Sequence, residues 1–228
     1  MNIAYGFRMD SKTLPAEPSA RITNKKKRKE RILASARQTI ARKGFDALKL
    51  RDLAISADVT VPTIYNLIGG KSDILNVIIS DLLTKIEEAQ GNIETSEIET
   101  AFENQIDRLA ALFATDEDYY RAAFIAGDRS GLFEHDSETG VFARFVAQPI
   151  AICRDAKTKG LLLGEISSEQ LGEQVYGSYR LARQDWSNGY LDLSQFRQQS
   201  MTGVYLCLAA DAAPDFRKRL FKKISAMQ

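Results

Sequence analysis

The chain has few of the side chains on which metal sites and disulfide frameworks depend. Its 228 residues contain only two cysteines and one histidine. Cys153 and Cys207 both lie in apolar helical patterns, so we expect buried thiols and no disulfide framework. His135 is alone, which excludes any site that needs two histidines. We therefore predict no metal and no cofactor.

Long apolar segments are also missing. No run approaches the roughly 18 apolar residues of a membrane span, and no early apolar run resembles a signal peptide. We therefore expect a cytoplasmic protein that does not contact a membrane. Hydrophobic residues make up 44% of the chain, which is enough for a real core. Their spacing is helical, without β-type alternation or an internal repeat.

The usual marks of an enzyme are absent as well. The sequence has no phosphate-binding glycine loop, no nucleophile elbow and no pair of metal-ligating residues. Carboxylates such as those of Glu117 and Asp118 follow an ordinary loop pattern. We therefore expect no enzymatic activity.

The charges are unevenly distributed, although the net charge is only +1. Residues 21–71 contain 13 lysines and arginines against four acidic residues, whereas residues 72–228 contain 16 basic and 24 acidic residues. A basic cluster by itself is ordinarily a solvated surface. Beside a DNA-binding motif, a basic head on an acidic body indicates a polyanionic partner for the head alone.

Such a motif lies in residues 50–75, around which the rest of the chain is organised. Asp58 stands where the chain must reverse between two helices. Asp suits such a position because it tolerates a left-handed backbone better than most residues. Thr60 can cap the helix that follows, and Pro62 suits its first turn. The preceding segment has one apolar helical stripe, formed by Leu50, Leu53, Ala54 and Ala57. Two short helices joined by a tight turn form a helix-turn-helix, whose second helix enters the DNA major groove.

The second helix of this motif carries most of the candidate DNA contacts. Ile64 and Ile68 can point back at the first helix, which leaves the opposite face open. Hydroxyl and amide groups there can bond base edges or phosphates, and Val61 and Pro62 can contact a thymine methyl group. Lys71 begins the next helix, where free N–H groups favour a phosphate. The candidates are Thr60, Val61, Pro62, Thr63, Tyr65, Asn66 and Lys71.

The motif closely resembles the DNA-binding domain of the TetR family of transcriptional regulators. The matching residues are Ile32, Leu33, Ala36, Gly44, Phe45, Arg51 to Ala54, Ala57 to Thr60, Thr63 to Tyr65, Lys71 and Leu75. The resemblance implies that Arg51 is a further DNA contact. It also implies an all-α protein with an N-terminal three-helix DNA-binding domain, joined by a long helix to a helical ligand-binding and dimerisation domain.

Several positions depart from the family pattern, among them Lys49 and Leu50, where the family often has small hydroxyl or apolar residues. Asp58 replaces the usual turn glycine, so we expect slight strain in the turn. Leu67 and Ile68 replace a His-Phe pair, whose imidazole often contacts a phosphate in the family. Gly70 stands where Ser or Asn often caps the fourth helix.

The patterns divide the chain into three parts. Residues 1–24 are expected to be a flexible, basic-tailed arm, residues 25–71 the helix-turn-helix domain, and residues 72–228 the helical effector-binding and dimerisation domain. The basic run from Lys25 to Arg31 can follow phosphates or reach a minor groove. We expect it to add affinity that does not depend on DNA sequence.

A long amphipathic helix is predicted from Ser72 to about Gly91. Its apolar seam consists of Ile74, Leu75, Ile78, Ile79, Leu82, Leu83 and Ile86. We expect one end to pack on the DNA-binding core and the other on the remaining helices. The resemblance implies that the tilt of this helix sets the separation of the recognition helices.

Aromatic residues are frequent in the middle helices. For any one of them, a place in the core is the simpler interpretation. The resemblance implies a cavity there for a small organic ligand. The candidate cavity residues are Phe102, Phe113, Tyr120, Phe124, Phe145, Tyr176 and Tyr179.

The last long helices carry glycines at unfavourable positions. Gly172, Gly177 and Gly203 lie inside predicted helices, where each costs about 1 kcal/mol relative to alanine. A close approach between helices would account for them. Two helical faces either form a four-helix bundle between two subunits or close the chain's own core. They are Leu171, Val175, Ser178, Ala182 and Trp186, and Phe196, Ser200, Gly203, Cys207 and Ala210.

Together these observations favour a homodimer that binds palindromic double-stranded DNA and regulates transcription. The simplest hypothesis is a repressor that a small organic ligand releases from its operator. The alternative is a constitutive DNA-binding architectural or adaptor protein without a ligand, which would have a tightly packed second domain.

Overall fold

The computed structural model describes residues 20–91, 97–133 and 140–227. Within these residues the chain forms ten α-helices and a short 3-10 helix, Phe45–Ala47. The α-helices are α1 (Ala20–Lys43), α2 (Leu50–Ser56), α3 (Val61–Leu67), α4 (Lys71–Gln90), α5 (Ile98–Ala114), α6 (Glu117–Arg129), α7 (Val141–Thr158), α8 (Ser168–Ser187), α9 (Leu193–Asp211) and α10 (Pro214–Ser225). The predicted all-α fold with an N-terminal helix-turn-helix domain is confirmed. Among the described helices, none has both the length and the apolar character needed to cross a bilayer.

The first helix begins earlier than predicted. α1 starts at Ala20, so residues 20–24 belong to a helix and not to the arm expected up to residue 24. Residues 20–43 contain neither proline nor glycine, and lysine and arginine are good helix formers. The basic run therefore continues the helix. Residues 1–19 of the predicted arm lie outside the described residues.

The N-terminal core is formed where α1 crosses the two short helices. Ile32 and Ile40 of α1, Leu53 of α2 and Ile64 of α3 are almost completely buried. Leu48, in the segment before α2, closes the same core. This packing fixes the direction of α3, since its one fully buried side chain faces α1 and α2 and its other side remains open.

The long connecting helix agrees closely with its prediction. All seven predicted seam residues of α4 are buried. The helix begins at Lys71, one residue before the predicted start, and Gly91 follows its end with a φ of 58°. α4 packs against α1 of the DNA-binding domain and against α5 and α6 of the second domain. A single helix therefore belongs to both cores.

Two of the three unusual glycines are explained by close packing within the chain. A Cβ atom on Gly172 would lie 2.6 Å from the backbone nitrogen of Ile150 in α7. A Cβ atom on Gly203 would lie 2.5 Å from the Cβ of Ser178 in α8. Gly177 differs, because nothing lies within 4 Å of the position its Cβ would take. The close approach predicted for Gly172 and Gly203 thus joins α7, α8 and α9 of one chain.

The helical faces considered for dimerisation are mostly internal. Leu171, Val175, Ala182, Trp186, Phe196 and Ser200 are all buried within the chain. They face inward because α8 packs on α6 and α7, and α9 packs on α5. These residues therefore close the chain's own core and do not form a bundle between two subunits. The open side of the α8–α9 pair carries other residues, namely Gly177, Leu181, Thr202 and Leu206.

Both cysteines are free thiols. Cys153 is fully buried, and its burial raises the pKa of the thiol to about 12. Cys207 is only half-buried, with its Sγ 3.7 Å from the Oγ of Ser178. The prediction of buried thiols therefore holds fully for Cys153 and partly for Cys207. His135 lies outside the described residues.

Candidate nucleic-acid interface

The turn between α2 and α3 is built around a left-handed residue. Asp58 has a φ of 51°, and among the described residues no other non-glycine residue has a positive φ. Its backbone oxygen accepts a hydrogen bond from Nη2 of Arg31 at 3.2 Å, and its carboxylate lies 3.6 Å from Nη1. The reversal predicted at Asp58 is confirmed. The bracing arginine was not predicted, because it lies 27 residues earlier in α1.

The start of α3 is fixed by a side-chain cap, as predicted. Oγ1 of Thr60 accepts a hydrogen bond from the backbone N–H of Thr63 at 3.3 Å. The hydroxyl groups of Thr60 and Thr63 lie 2.9 Å apart and form a second bond. Pro62 occupies the first turn, where its missing N–H leaves no hydrogen bond unmade. These contacts hold the first turn of α3 in a defined position.

The open side of α3 is mostly uncharged and projects into solvent. Tyr65 is 57% exposed, and Pro62 and Asn66 are also exposed. The three positions are spaced i, i+3 and i+4, so they share one helical face. Val61 and Thr63 are half-buried at its edge. The predicted contact residues of this helix therefore form one continuous surface.

Lys71 is held by the segment that precedes α2. Its Nζ donates a hydrogen bond to the backbone oxygen of Asp46 at 3.0 Å and lies 4.6 Å from the centre of the Phe45 ring. The carboxylate of Asp46 also pairs with Arg129 of α6 at 3.2 Å. A phosphate at Lys71 would have to compete with these contacts. The sequence pattern does not indicate that Lys71 makes them.

The missing cap of α4 is supplied from within the helix. The carboxylate of Asp73 accepts a hydrogen bond from the backbone N–H of Gly70 at 2.7 Å. One N–H group expected to be available to phosphate is thus already bonded. Arg51, on α2, is exposed and has no hydrogen-bond or charged partner among the described residues. It is the least constrained of the predicted contacts.

The N-terminal half of α1 adds a basic surface. Lys25, Lys26, Lys27 and Arg28 are all exposed. Lys26 lies 4.0 Å from Glu30, a distance at which an exposed pair contributes little. Successive positions on a helix point in different directions, so these cations surround the helix. The cations of such a surface repel one another in water, and a polyanion beside them removes this repulsion.

A second candidate site lies in the second domain, where one narrow cavity lies between α5, α7 and α8 and another between α4, α6, α7 and α8. Each has an internal volume of only about 20 Å³, roughly the space of one water molecule. Of the predicted ligand residues, Phe102, Phe145, Tyr176 and Tyr179 line the first cavity, and Phe124 joins the last three around the second. The polar residues Gln90, Gln105 and Arg183 also line these cavities and were not predicted.

The other two predicted ligand residues line neither cavity. The ring of Phe113 stacks on Trp186 with their centres 4.9 Å apart, and Tyr120 lies 5.5 Å from Phe113. Both are almost fully buried in this aromatic core. Their assignment to a ligand site is therefore corrected. A core position and a cavity wall are both apolar positions on a helix, so the sequence pattern cannot separate them.

The described residues contain no group of three or more His, Cys, Asp or Glu side chains that could hold a metal ion.

Comparison with known proteins places the N-terminal part in a family. Residues 32–78 match the sequence profile of the family described as "Bacterial regulatory proteins, tetR family". This region runs from α1 through the helix-turn-helix into α4. Among curated proteins, none matches the chain.

Solved structures resemble the chain over both domains. A TetR transcription regulator from Haloarcula marismortui is 14% identical, with a TM-score of 0.67 over 82% of this chain and 100% of that one. The fatty acid degradation regulator FadR from Bacillus halodurans is 17% identical, with a TM-score of 0.60 over 79% and 94%. A gamma-butyrolactone receptor described as ArpA-like is 14% identical, with a TM-score of 0.58 over 90% and 97%. At these identities the likeness establishes a shared fold.

Asp58→Val is expected to lower the free energy of unfolding by about 1–3 kcal/mol, because a β-branched side chain is strained at positive φ. Asp58→Gly is the matched control. It relieves the strain and loses only an exposed ion pair, so its effect should stay within about 1 kcal/mol. Urea unfolding followed by circular dichroism measures both. Equal destabilisation by the two variants would show that the side chain of Asp58, and not its backbone geometry, maintains the turn.

Proposed function

This chain belongs to the TetR family of transcriptional regulators, which are DNA-binding proteins, and on that basis we propose that it is a homodimeric repressor. In this proposal α3 reads a palindromic operator, and a small organic ligand in the second domain releases the protein from DNA. The observation that carries the proposal is the open face of α3. Pro62, Tyr65 and Asn66 project from a helix that Thr60 caps and Ile64 anchors.

The contacts proposed for α3 follow from the chemistry of its exposed side chains. Thr63 and Asn66 can donate to and accept from base edges or phosphates, and Asn66 can pair with an adenine. Val61 and Pro62 offer apolar surface to a thymine methyl group. Tyr65 can donate its hydroxyl to a phosphate. Such phosphate contacts position the helix, whereas the base contacts give specificity.

Three cationic elements belong to the same domain as this face. Arg51 is exposed on α2, the exposed lysines of α1 begin at Lys25, and Lys71 begins α4. A phosphate oxygen could replace the backbone oxygen of Asp46 as the partner of Lys71, with the full charge of the phosphate in addition. We propose that these groups supply the affinity that is independent of DNA sequence.

The open side of the α8–α9 pair supports a homodimer. Leu181 is 55% exposed and Leu206 is 51% exposed, which is unusual for two leucines on one uncharged helical surface. Gly177 lies on the same side with no neighbour within 4 Å. A glycine inside a helix costs about 1 kcal/mol, and a second subunit packed closely on it would explain its presence. Two such pairs form a four-helix bundle, and a two-fold protein matches a palindromic site.

Release by a ligand would act through α4, which is attached to both domains. At its middle, Arg37 of α1 pairs with Asp81 at 2.6 Å. At its end, Arg144 of α7 pairs with Glu87 at 2.5 Å, and Arg108 of α5 donates to the backbone oxygen of Gln90 at 2.8 Å. A ligand that displaces α5 or α7 would therefore shift α4 and the attached α3. It weakens DNA binding only if it prefers the shifted arrangement.

The narrowness of the cavities favours one competing function. A DNA-binding architectural or adaptor protein without a ligand would need only a packed second domain, and much of the aromatic cluster around Phe113 and Trp186 is tightly packed. Operator affinity that no bound small molecule changes would favour this alternative.

Thr63→Ala and Tyr65→Ala are each expected to weaken binding, to the DNA that the wild-type protein selects, by about five- to 150-fold, since a specific contact is worth about 1–3 kcal/mol. Lys71→Ala should also reduce the slope of log affinity against log salt by about 0.9. The matched control is Lys218→Ala, which removes an exposed lysine from α10. Fluorescence anisotropy with labelled DNA at several salt concentrations measures these effects. Unchanged affinity in all three variants would contradict the assignment of the reading surface to α3.

Leu181→Arg and Leu206→Arg are expected to convert the proposed dimer into monomers, because each places a charge in the middle of an apolar contact. Leu163→Arg is the control, since Leu163 is 54% exposed but lies in the connection before α8. Sedimentation velocity at micromolar concentration gives the oligomeric state. A monomeric wild-type protein, or variants that remain dimeric, would contradict this interface.

A further inference from the structure

The last turn of α6 brings a cation of the second domain to the DNA-binding domain. Arg129 ends α6, and its Nη1 lies 3.2 Å from Oδ2 of Asp46 in the short 3-10 helix before α2. The two residues are 83 positions apart in the chain. α6 also packs against α1 and against this 3-10 helix. The pair therefore joins the two domains directly, without passing through α4.

Asp46 also holds the proposed phosphate contact at the start of α4. Its backbone oxygen accepts the hydrogen bond from Nζ of Lys71 at 3.0 Å, and the ring of Phe45 lies 4.6 Å from the same nitrogen. A phosphate oxygen bonded to this nitrogen would lie about 3 Å from it, and hence within about 6 Å of the backbone of Asp46. The side chain of Asp46 is 84% exposed, so its carboxylate is in the same solvent as that phosphate.

The negative charge of Asp46 is unfavourable in this place. A carboxylate repels a phosphate, and at about 0.1 M salt this repulsion extends over about 10 Å. The nearby carboxylate of Asp73 has a structural task, because it accepts the backbone N–H of Gly70 at 2.7 Å. The carboxylate of Asp46 has no such bond, and among the described residues Arg129 is the one cation paired with it. Arg129 therefore determines how much negative charge a DNA backbone meets beside Lys71.

The position of Arg129 is fixed from inside the second domain. Asp128, the residue before it, forms a bidentate pair with Arg183 of α8, with nitrogen–oxygen distances of 2.9 and 3.2 Å. Arg183 is only 4% exposed, so this pair is buried. Oγ of Ser130 donates a hydrogen bond to the backbone oxygen of Ala126 at 2.7 Å and closes the same turn. A rearrangement of α8 that moves Asp128 would therefore move Arg129 as well.

We propose that Arg129 is a positioning residue of the DNA interface, supplied by the second domain, which neutralises the carboxylate of Asp46 beside the phosphate that Lys71 binds. With the pair closed, the positive charge of Lys71 faces the phosphate without an opposing charge. Withdrawal of α6 exposes the charge of Asp46 and weakens DNA binding by repulsion, without any movement of α3. The inference rests on the proposed function for the phosphate contact of Lys71.

A double-mutant cycle on DNA affinity tests the pair. Arg129→Gln should weaken binding to the selected DNA about threefold at about 0.1 M salt, because it leaves Asp46 unpaired beside the phosphate. In an Asp46→Asn background the same substitution should change the affinity by less than about 1.5-fold, since no carboxylate remains to be neutralised. The side chains of Arg129 and Asp46 are 72% and 84% exposed, so the variants should fold as the wild type does. Circular dichroism checks their folding.

Two controls separate this role from simpler ones. Arg154→Gln removes an arginine of α7 that also forms an exposed pair, with Glu169 at 2.5 Å, and should leave the DNA affinity within about 1.5-fold of wild type. Arg129→Lys keeps the charge and should restore the affinity that Arg129→Gln loses. Equal weakening by Arg129→Gln in both backgrounds would show that Arg129 contacts a phosphate itself and would overturn the proposal.

The salt dependence gives an independent test. Repulsion between exposed charges is screened, so the weakening caused by Arg129→Gln should disappear as the salt concentration rises toward about 0.5 M. A loss of the same size at every salt concentration would indicate a structural defect and overturn the proposal.

The outcomes also separate this inference from the proposed function. Specific DNA binding by the wild type, with unchanged affinity in Arg129→Gln, would overturn the inference and leave the DNA-binding function intact. A wild-type protein that binds no DNA would overturn both.

Discussion

The structure depends on one constraint, the burial of a single apolar stripe that runs the whole length of α4. Ile74 and Leu75 lie near the helix-turn-helix, and Leu83 and Ile86 lie near the second domain. The stripe cannot leave either core without exposing large aliphatic side chains, each worth roughly 1.5–3 kcal/mol on burial. α4 therefore moves as a unit with whatever it contacts. In the proposed function, this constraint would carry a change in the second domain to α3.

The contacts around α4 differ in strength between its two ends. Near the DNA-binding domain, Asp81 accepts from Arg37 at 2.6 Å and lies 3.5 Å from Lys85. Near the second domain, the helix is held by the exposed ion pair of Glu87 with Arg144 and by the backbone bond from Arg108 to Gln90. Exposed pairs contribute little, so the burial of Leu82, Leu83 and Ile86 does most to hold this end of α4.

The sequence predicted best those features that depend on neighbouring residues. The reversal at Asp58, the cap at Thr60 and the seam of α4 each follow from a local rule of backbone or helical geometry. Contacts between distant residues could not be predicted. Arg31 bracing Asp58, and Arg129 approaching Lys71 through Asp46, arise only when α1 and α6 pack beside the motif.

One open alternative and one error have a common physical origin. The inward and outward faces of α8 and α9 both carry apolar residues, so periodicity alone did not distinguish Trp186, which is internal, from Leu181, which is open. In the same way, Phe113 and Tyr176 were equivalent as aromatic residues in apolar patterns. Only packing shows that the first is a core residue and the second lines a cavity. The first residues of α1 were assigned to the arm because residues 1–20 lack periodicity and contain Pro15 and Pro18, but the helix already begins at Ala20.

The central claim is that α3 reads DNA sequence as part of a two-fold assembly, and selection of bound fragments from a random DNA pool tests it most directly. Two recognition helices related by a two-fold axis predict an inverted repeat, with half-sites separated by about one helical turn or a multiple of it. Enrichment of such a repeat by the wild-type protein is the expected result. Salt-sensitive binding that enriches no motif would contradict the claim and favour an architectural role.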